Sequence, residues 1–286
     1  MNAKTSAPEP QELENGDASL LIYRDAPSWD ERKTAALGSF KFGTAEGGTA
    51  LLRQAADQLK NEGIEAVIGP MDGDTWHSYR AVTQTDDSPT FLMEPQSGAH
   101  DVDALEAAGF QTISGYVSAR TQTELGIAKR RGGRKGLEIL TWDGASPEAF
   151  FGDVYDFSLA GFARNRFYKP ISKETFLGMY MPYVPFLKRE LILFARRDSG
   201  ALVGFLFGIP DFSQGPQTKT AILKTYASSV FGAGHLLADV FHRNALELGL
   251  TTTIHALMHE DNIARQRSEK LGGSIFRRYH LFGQVL

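Results

Sequence analysis

Three groups of residues in this chain have types and spacings that could do chemistry. The first is Gly232-Ala233-Gly234 followed by His235, set between a β-favouring run and a helix-period run. Glycines there let the backbone turn tightly with no β-carbon in the way. The unpaired N–H groups and positive dipole end of the following helix make a ready site for a phosphate-bearing ligand. A plain strand-to-helix turn fits the same residues. The second group is His255 and His259, four apart, with Glu260 and Asp261 behind them. As a zinc set it lacks a defined third ligand and the helical HExxH form, so no metal is expected. His259 has an imidazole in the range of a base, and a structural, hydrogen-bonded role suits both histidines. The third group is split. FARNRFYKP (162–170) carries Arg164, Asn165, Arg166 and Tyr168, while Trp76, His77, Tyr79 and Arg80 follow a Pro-Met-Asp-Gly turn. The former reads as a solvated loop or a ligand wall, the latter as packing between two halves of the chain or a second ligand wall.

Elements must hold these groups in place. TAILKTYASS, from Thr220, reads as a strand. Leu237, Phe241, Ala245 and Leu248 then recur at helical spacing until Gly249 stops the helix. TTTIHALM (251–258), a short helix over 261–272 and SIFRRYHLF (274–282) complete that unit. Earlier, SLLIYRD (19–25) and AALGSFKF (35–42) read as strands, Leu51, Ala55 and Leu59 mark a helix closed by Gly63, and IEAVIG (64–69) is a buried-looking strand. A short helix over 103–109 and a strand over 111–119 end the first half. LEILTWD (137–143), two helices to about Leu187, and a hairpin of ELILFARR with ALVGFLFGIP around Asp198-Ser199-Gly200 open the second. Gly48 and Gly63 bracket the first long helix with the spacing of Gly234 and Gly249 around the later one; Leu51 then matches Leu237 and Ile68 matches Ile254. LEAAGF (105–110) matches SEKLGG (268–273). This is a duplicated α/β unit of roughly sixty residues, in too few copies for a solenoid. It predicts two related lobes.

Bulk properties narrow the partners. The 286 residues are enough for two domains with substantial cores. A net charge of −4 lacks the basic excess of a nucleic-acid binder. With no cysteine there is no disulfide, thiolate metal site or thiol nucleophile. The N-terminal stretch has no apolar h-region and no run approaches a membrane span, so a cytoplasmic protein, monomer or homodimer, is expected. Residues 1–18 are expected to be a disordered tail, 19–128 a partial lobe, 129–136 (KRRGGRKG) a solvated linker, and 137–286 the complete lobe.

Strand, glycine turn, helix, strand, short helix, EKLGG and a last strand with an Arg-Tyr pair together resemble the GNAT superfamily of acetyl-CoA-dependent N-acetyltransferases, in a tandem branch also suggested by GPMDGDTWHSYR, IPDF, KTYA and HALMHEDN. The resemblance implies an α/β (α+β) fold of two GNAT-like lobes, the first partial and degenerate, the second complete with a mixed twisted sheet. It also implies transfer of an acetyl group from acetyl-CoA, by direct attack in a ternary complex, to the amine of a small molecule or peptide. Gly232, Ala233, Gly234 and His235 would hold the pyrophosphate, although Ser229 stands at the family's Gln/Arg position. The main chain of Thr225, Tyr226, Ala227 and Ser228 would hold the pantetheine on a splayed strand, with Asn262 beside it. Where members commonly place a proton-donating Tyr, this chain has Ser268; Tyr279 and Tyr226 are the remaining donors, and His259 a base. Arg164, Asn165 and Tyr168, with Trp76 and Arg80, would form the acceptor wall, and Arg164 and Arg166 suit an anionic amine. In the first lobe Glu46 stands in the phosphate loop and would repel the coenzyme. The missing Tyr and Gln/Arg leave a second reading, a non-catalytic coenzyme-A-binding or interaction module.

Overall fold

The computed structural model describes residues 9–128, 134–163 and 165–286. The first half supplies β1 (Gln11–Asn15), β2 (Ala18–Tyr23), β3 (Thr34–Phe42), α1 (Ala45–Asn61), β4 (Ala66–Gly69), β5 (Ala81–Thr85), α2 (Asp101–Ala107) and β6 (Gln111–Gln122). The second supplies β7 (Leu137–Thr141), α3 (Pro147–Phe162), α4 (Lys173–Tyr180), β8 (Ile192–Arg197), β9 (Leu202–Pro210), β10 (Thr220–Ser228), α5 (Ala233–Glu247), β11 (Thr252–His259), α6 (Ile263–Lys270) and β12 (Ser274–Val285). The stretch expected to be an unstructured tail thus holds β1, which pairs antiparallel with β2. Pro182 and Pro185 end α4 as expected, tightening the chain into a 3-10 turn over Met181–Phe186.

All twelve strands form one sheet. Its order is β1-β2-β3-β4-β12-β6-β11-β10-β9-β8-β7, with β5 sharing the β12 edge with β4. Two pairs are parallel, β3 with β4 and β10 with β11, and each is bridged by the long helix of its lobe. The lobes do not simply abut. β12, from the second half, lies between β4 and β6 of the first; β6, from the first half, lies between β12 and β11 of the second. Each lobe has given its last strand to the other.

Helices cover the sheet by burying their apolar stripes. Leu51, Leu52, Ala55 and Leu59 of α1 pack with Ala104 and Leu105 of α2 over β2, β3 and β4. Leu237, Phe241 and Ala245 of α5 pack over Leu193, Leu206 and Leu223. Phe241 is seated above Gly208, where a β-carbon would overlap its ring, so a small residue in β9 is what lets α5 approach. On the other side of β8–β11 lies an aromatic cluster: Phe151 of α3, Phe176 of α4, Phe194, Phe205 and Phe207. The α3–α4 connection is anchored on the first lobe, since Phe167 is buried beside Met71 and Leu281.

Candidate functional site

The site begins where β10 and β11 part. Their parallel pairing runs from Thr220 with Thr252 to Leu223 with His255 and then stops. Beyond that point β10 keeps its bonds to β9 through Ser228, and β11 keeps its bonds to β6 through His259. Both strands are irregular at the parting: Lys224 is an extra residue against β9, and the β11 register shifts between His255 and Met258. Thr225, Tyr226, Ala227 and Ser228 therefore have one main-chain edge with no strand on it. That gap opens into a cleft of about 1670 Å³ running between α3, α4, α5, α6 and the Trp76–Arg80 loop.

On the α5 side the cleft meets an uncapped helix end. Gly232 takes φ +85°, a left-handed position that favours glycine, and offers no side chain to the first turn. The N–H groups of Ala233, His235 and Leu236 bond within the turn, whereas among the described residues no acceptor meets that of Gly234. A β-carbon on Gly234 would lie 3.2 Å from Arg267 Nη1 and 3.3 Å from the Tyr226 ring, so the approach to this buried glycine is tight. Arg267 has a buried Nε with no partner among the described residues. Its charge and that of Lys270, after burial, hold the His235 imidazole below its usual range. Arg134 donates to the Phe231 carbonyl at the loop's outer end. Helix dipole, free N–H and three cations lie together here, an arrangement that favours an anion.

The matching end of α1 is closed. Thr44 caps it, its Oγ1 accepting from Gly47 N at 3.1 Å. The carboxylate standing against the Gly43–Gly47 loop is that of Asp17, while Glu46 points out to solvent. The acid at this loop is thus Asp17 and not Glu46, the residue expected there. The gap past the β3–β4 pairing is also filled: Met71 N bonds Leu37 O at 2.8 Å, and Asp72 accepts from Ser39 N at 2.7 Å.

The cleft wall on the Trp76–Arg80 side is aromatic. Trp76 reaches from the first lobe over the α3–α4 connection, donates through Nε1 to Lys169 O at 2.9 Å, and meets Phe176 edge-on at 5.5 Å and Tyr168 at 6.0 Å. The Tyr168 hydroxyl is buried without a partner among the described residues. Arg80, also buried, is sandwiched between the rings of Tyr79 and Tyr116 at 3.8 and 3.9 Å and donates to Leu257 O at 3.4 Å.

No family model matches the sequence, and no curated protein matches it. Solved structures do match. One is a GCN5-related N-acetyltransferase from Sphaerobacter thermophilus, 14% identical, with a TM-score of 0.57 over 94% of this chain and 76% of that one. Another is a tandem GNAT protein from the clavulanic acid biosynthesis pathway, 14% identical, with a TM-score of 0.54 over 94% and 78%. A third is a probable N-acyltransferase from Enterococcus faecalis, 8% identical, with a TM-score of 0.56 over 94% and 59%. The chain has the GNAT fold in two lobes.

Within the GNAT lobes the expected residues divide. Thr225–Ser228, His235, Asn262, Asn165, Tyr168, Trp76 and Arg80 all line the cleft, while Gly234 is buried beside it. Asn262 is spent as the α6 cap, its Oδ1 accepting from Ala264 N at 3.0 Å. His259 has both ring nitrogens engaged, Nδ1 accepting from Asp261 N at 3.1 Å and Nε2 on Ser114 Oγ at 3.1 Å. Tyr279, expected as a proton donor, is 0% exposed and does not line the cleft; its hydroxyl donates to Glu94, and burial first and that carboxylate second push its pKa far up. Arg166 donates to Ile113 O at 2.7 Å and faces Asp30, so it is not a free anion clamp. Arg164, with residues 129–133 of the linker, lies outside the described residues.

Ser268 is not idle. His242 Nδ1 must donate to Ala238 O at 2.6 Å, so its Nε2 accepts from His255 Nε2 at 3.1 Å. His255 Nδ1 then accepts from Ser268 Oγ at 2.7 Å. Burial keeps both imidazoles neutral, pulling His255 down to about 3. The reading of the sequence missed Lys224, Arg267 and Lys270. Only Lys224 left a signal, a lone charge inside an otherwise apolar strand.

Proposed function

We propose that this chain is an acetyl-CoA-dependent N-acyltransferase with one active site, in the second lobe, acting on an amine with a bulky apolar part. The observation that carries this reading is the open α5 terminus beside the unpaired edge of β10. A pyrophosphate fits the Gly234 N–H, Arg267, Lys270 and Arg134; these cations do the work of the absent Gln/Arg side chain. A pantetheine chain is a row of amides, and the free edge of Thr225–Ser228 offers it the bonds that β11 has given up. Phe231, 87% exposed at the loop, adds apolar surface on the coenzyme side.

The acceptor would enter opposite, against Trp76, Phe162, Tyr168 and Phe176. With Arg166 engaged elsewhere, the wall favours an aromatic or branched apolar amine over an anionic one. Release of free thiol from acetyl-CoA against a panel of aromatic, aliphatic, anionic and polyamine acceptors tests both parts. Turnover led by apolar amines is expected, and Trp76→Ala should raise their KM by about tenfold with acetyl-CoA affinity unchanged. Tight acetyl-CoA binding with no turnover of any amine would favour a coenzyme-binding module instead.

A further inference from the structure

Acyl transfer to an amine has an unmet requirement at this site. The acceptor arrives as an ammonium ion and must lose a proton before its nitrogen can attack. The cleft holds several groups of the right kind, and nearly all are spent. Both nitrogens of His259 are bonded. Glu260 is ion-paired to Arg278 at 2.6 Å. Glu94 takes Arg277 at 2.7 Å and Phe91 N at 3.0 Å on one oxygen and the Tyr279 hydroxyl on the other. His255 and His242, which also line the cleft, are bonded to each other, and Ala238 O and Ser268 Oγ take their remaining nitrogens. His77 is held by Asp74, which favours its protonated form.

Lys224 differs. It is the bulged residue where β10 leaves β11, so its side chain springs from the point at which the two halves of the cleft meet. Its Nζ crosses to the first lobe and donates to Met93 O at 2.9 Å. No carboxylate pairs with it among the described residues: the nearest, Glu94, is already saturated.

We propose that Lys224 is the group that deprotonates the acceptor amine. The ammonium passes one proton to the Lys224 Nζ lone pair. The freed nitrogen attacks the thioester carbonyl, the N–C bond forms, and the C–S bond breaks. The nitrogen's second proton goes to the departing sulfur, and Lys224 returns the first to water before the next turnover. Atoms and charge balance with no further reactant.

The surroundings suit that cycle. Burial first, then the positive charge of Arg80, pull the Lys224 ammonium down to about 7, while Glu94 acts in the opposite sense. The strand neighbours are uncharged, Phe207 and Gly208 on β9 and the neutral His255 on β11, and α3 approaches this end of β10 with Gly161. A base half-protonated near neutrality can both take and release a proton.

This inference rests on the proposed acyltransfer, and two measurements separate their failures. The first needs no acceptor. Titration of Lys224 in the full-length protein, followed by NMR of 13Cε-labelled lysine and assigned with Lys224→Met, should show a midpoint near 7; a midpoint above 9 overturns the proposal whatever the protein catalyses. The second is the pH profile of kcat. Lys224→Met should bind acetyl-CoA within twofold of wild type, lose about a hundredfold in kcat at pH 7, and regain rate steadily toward the acceptor's own pKa. A variant keeping the wild-type rate and profile overturns the assignment, as does stoichiometric acetylation of Lys224 itself, which would make it a nucleophile.

Discussion

Two helices in this chain follow a parallel strand and a glycine-bearing turn, and their first turns have opposite fates. α1 is closed by Thr44, flanked by Asp17 and preceded by a strand gap filled with Met71 and Asp72. α5 has Gly232 in place of a capping side chain, cations in place of carboxylates, and an open gap beside it. The same contrast runs deeper. Through the glycine spacing, His242 and His255 correspond to Ala56 and Gly69, so one lobe buries a polar relay where the other buries small residues. The two units share a backbone plan, yet one helix terminus is an ordinary capped one and the other is left open. A few side chains decide which.

The comparison can be broken most directly at Gly234. Gly234→Glu should reduce acetyl-CoA affinity by more than about a hundredfold, since it fills the cradle and adds a charge where an anion belongs. Calorimetry on the folded variant decides, and the wild-type stoichiometry should be one per chain; a value near two would place a working site on α1 as well.

The buried histidines give the next effect. Folded His242 and His255 stay neutral well below the ordinary pKa near 6.5, whereas the unfolded chain takes up protons there. Stability is therefore fully present above about 6.5 and lost as pH falls toward 3, by roughly 2 kcal/mol at pH 5 for His255, with His242 adding in the same direction. Denaturant titrations at pH 7.5 and 5 should show this, and His255→Gln should flatten the difference; a slope unchanged by that substitution would assign the acid lability elsewhere.

Arg267→Ala should weaken acetyl-CoA about tenfold by removing a charge-assisted contact to phosphate, with the unfolding midpoint unchanged. Unaltered affinity would leave the backbone alone as the anion site. Smallest is Thr44→Ala, which should cost about 1 kcal/mol of stability and nothing in coenzyme affinity. Any change in affinity would tie α1 to the coenzyme after all.

Much of this was legible in the residues. The matched glycines of the two helices and the alternation of strand and helix gave the duplicated unit, and Gly232 with Gly234 located the open turn. The chemistry was less so. Tyr279 looked available because a strand tyrosine carries no mark of which face it takes; only the Arg277–Glu94–Tyr279 contacts show it turned inward. Lys224 stands out as the one charge in its strand, but its place at the parting is visible only with the bulge, which depends on β9 and β11 together. Arg267 sits on a polar helix whose charges look alike until one of them is found beside Gly234. Asp17 is far from Glu46 in the chain, and β1–β2 had to fold before its carboxylate could be seen at the α1 turn.

The exchanged strands carry a consequence for how the protein is made. β4 cannot complete its hydrogen bonding until β12 has left the ribosome, a whole lobe later, and β6 waits as long for β11. During synthesis the first half carries two unsatisfied sheet edges through the time needed to translate the second, a setting in which nascent chains meet chaperones or one another. The same arrangement makes a cut between the halves different from a cut between ordinary domains. Each fragment would keep a helix and a parallel strand pair yet lack the strand that closes its sheet, so the two should be recovered only when co-expressed, each completing the other.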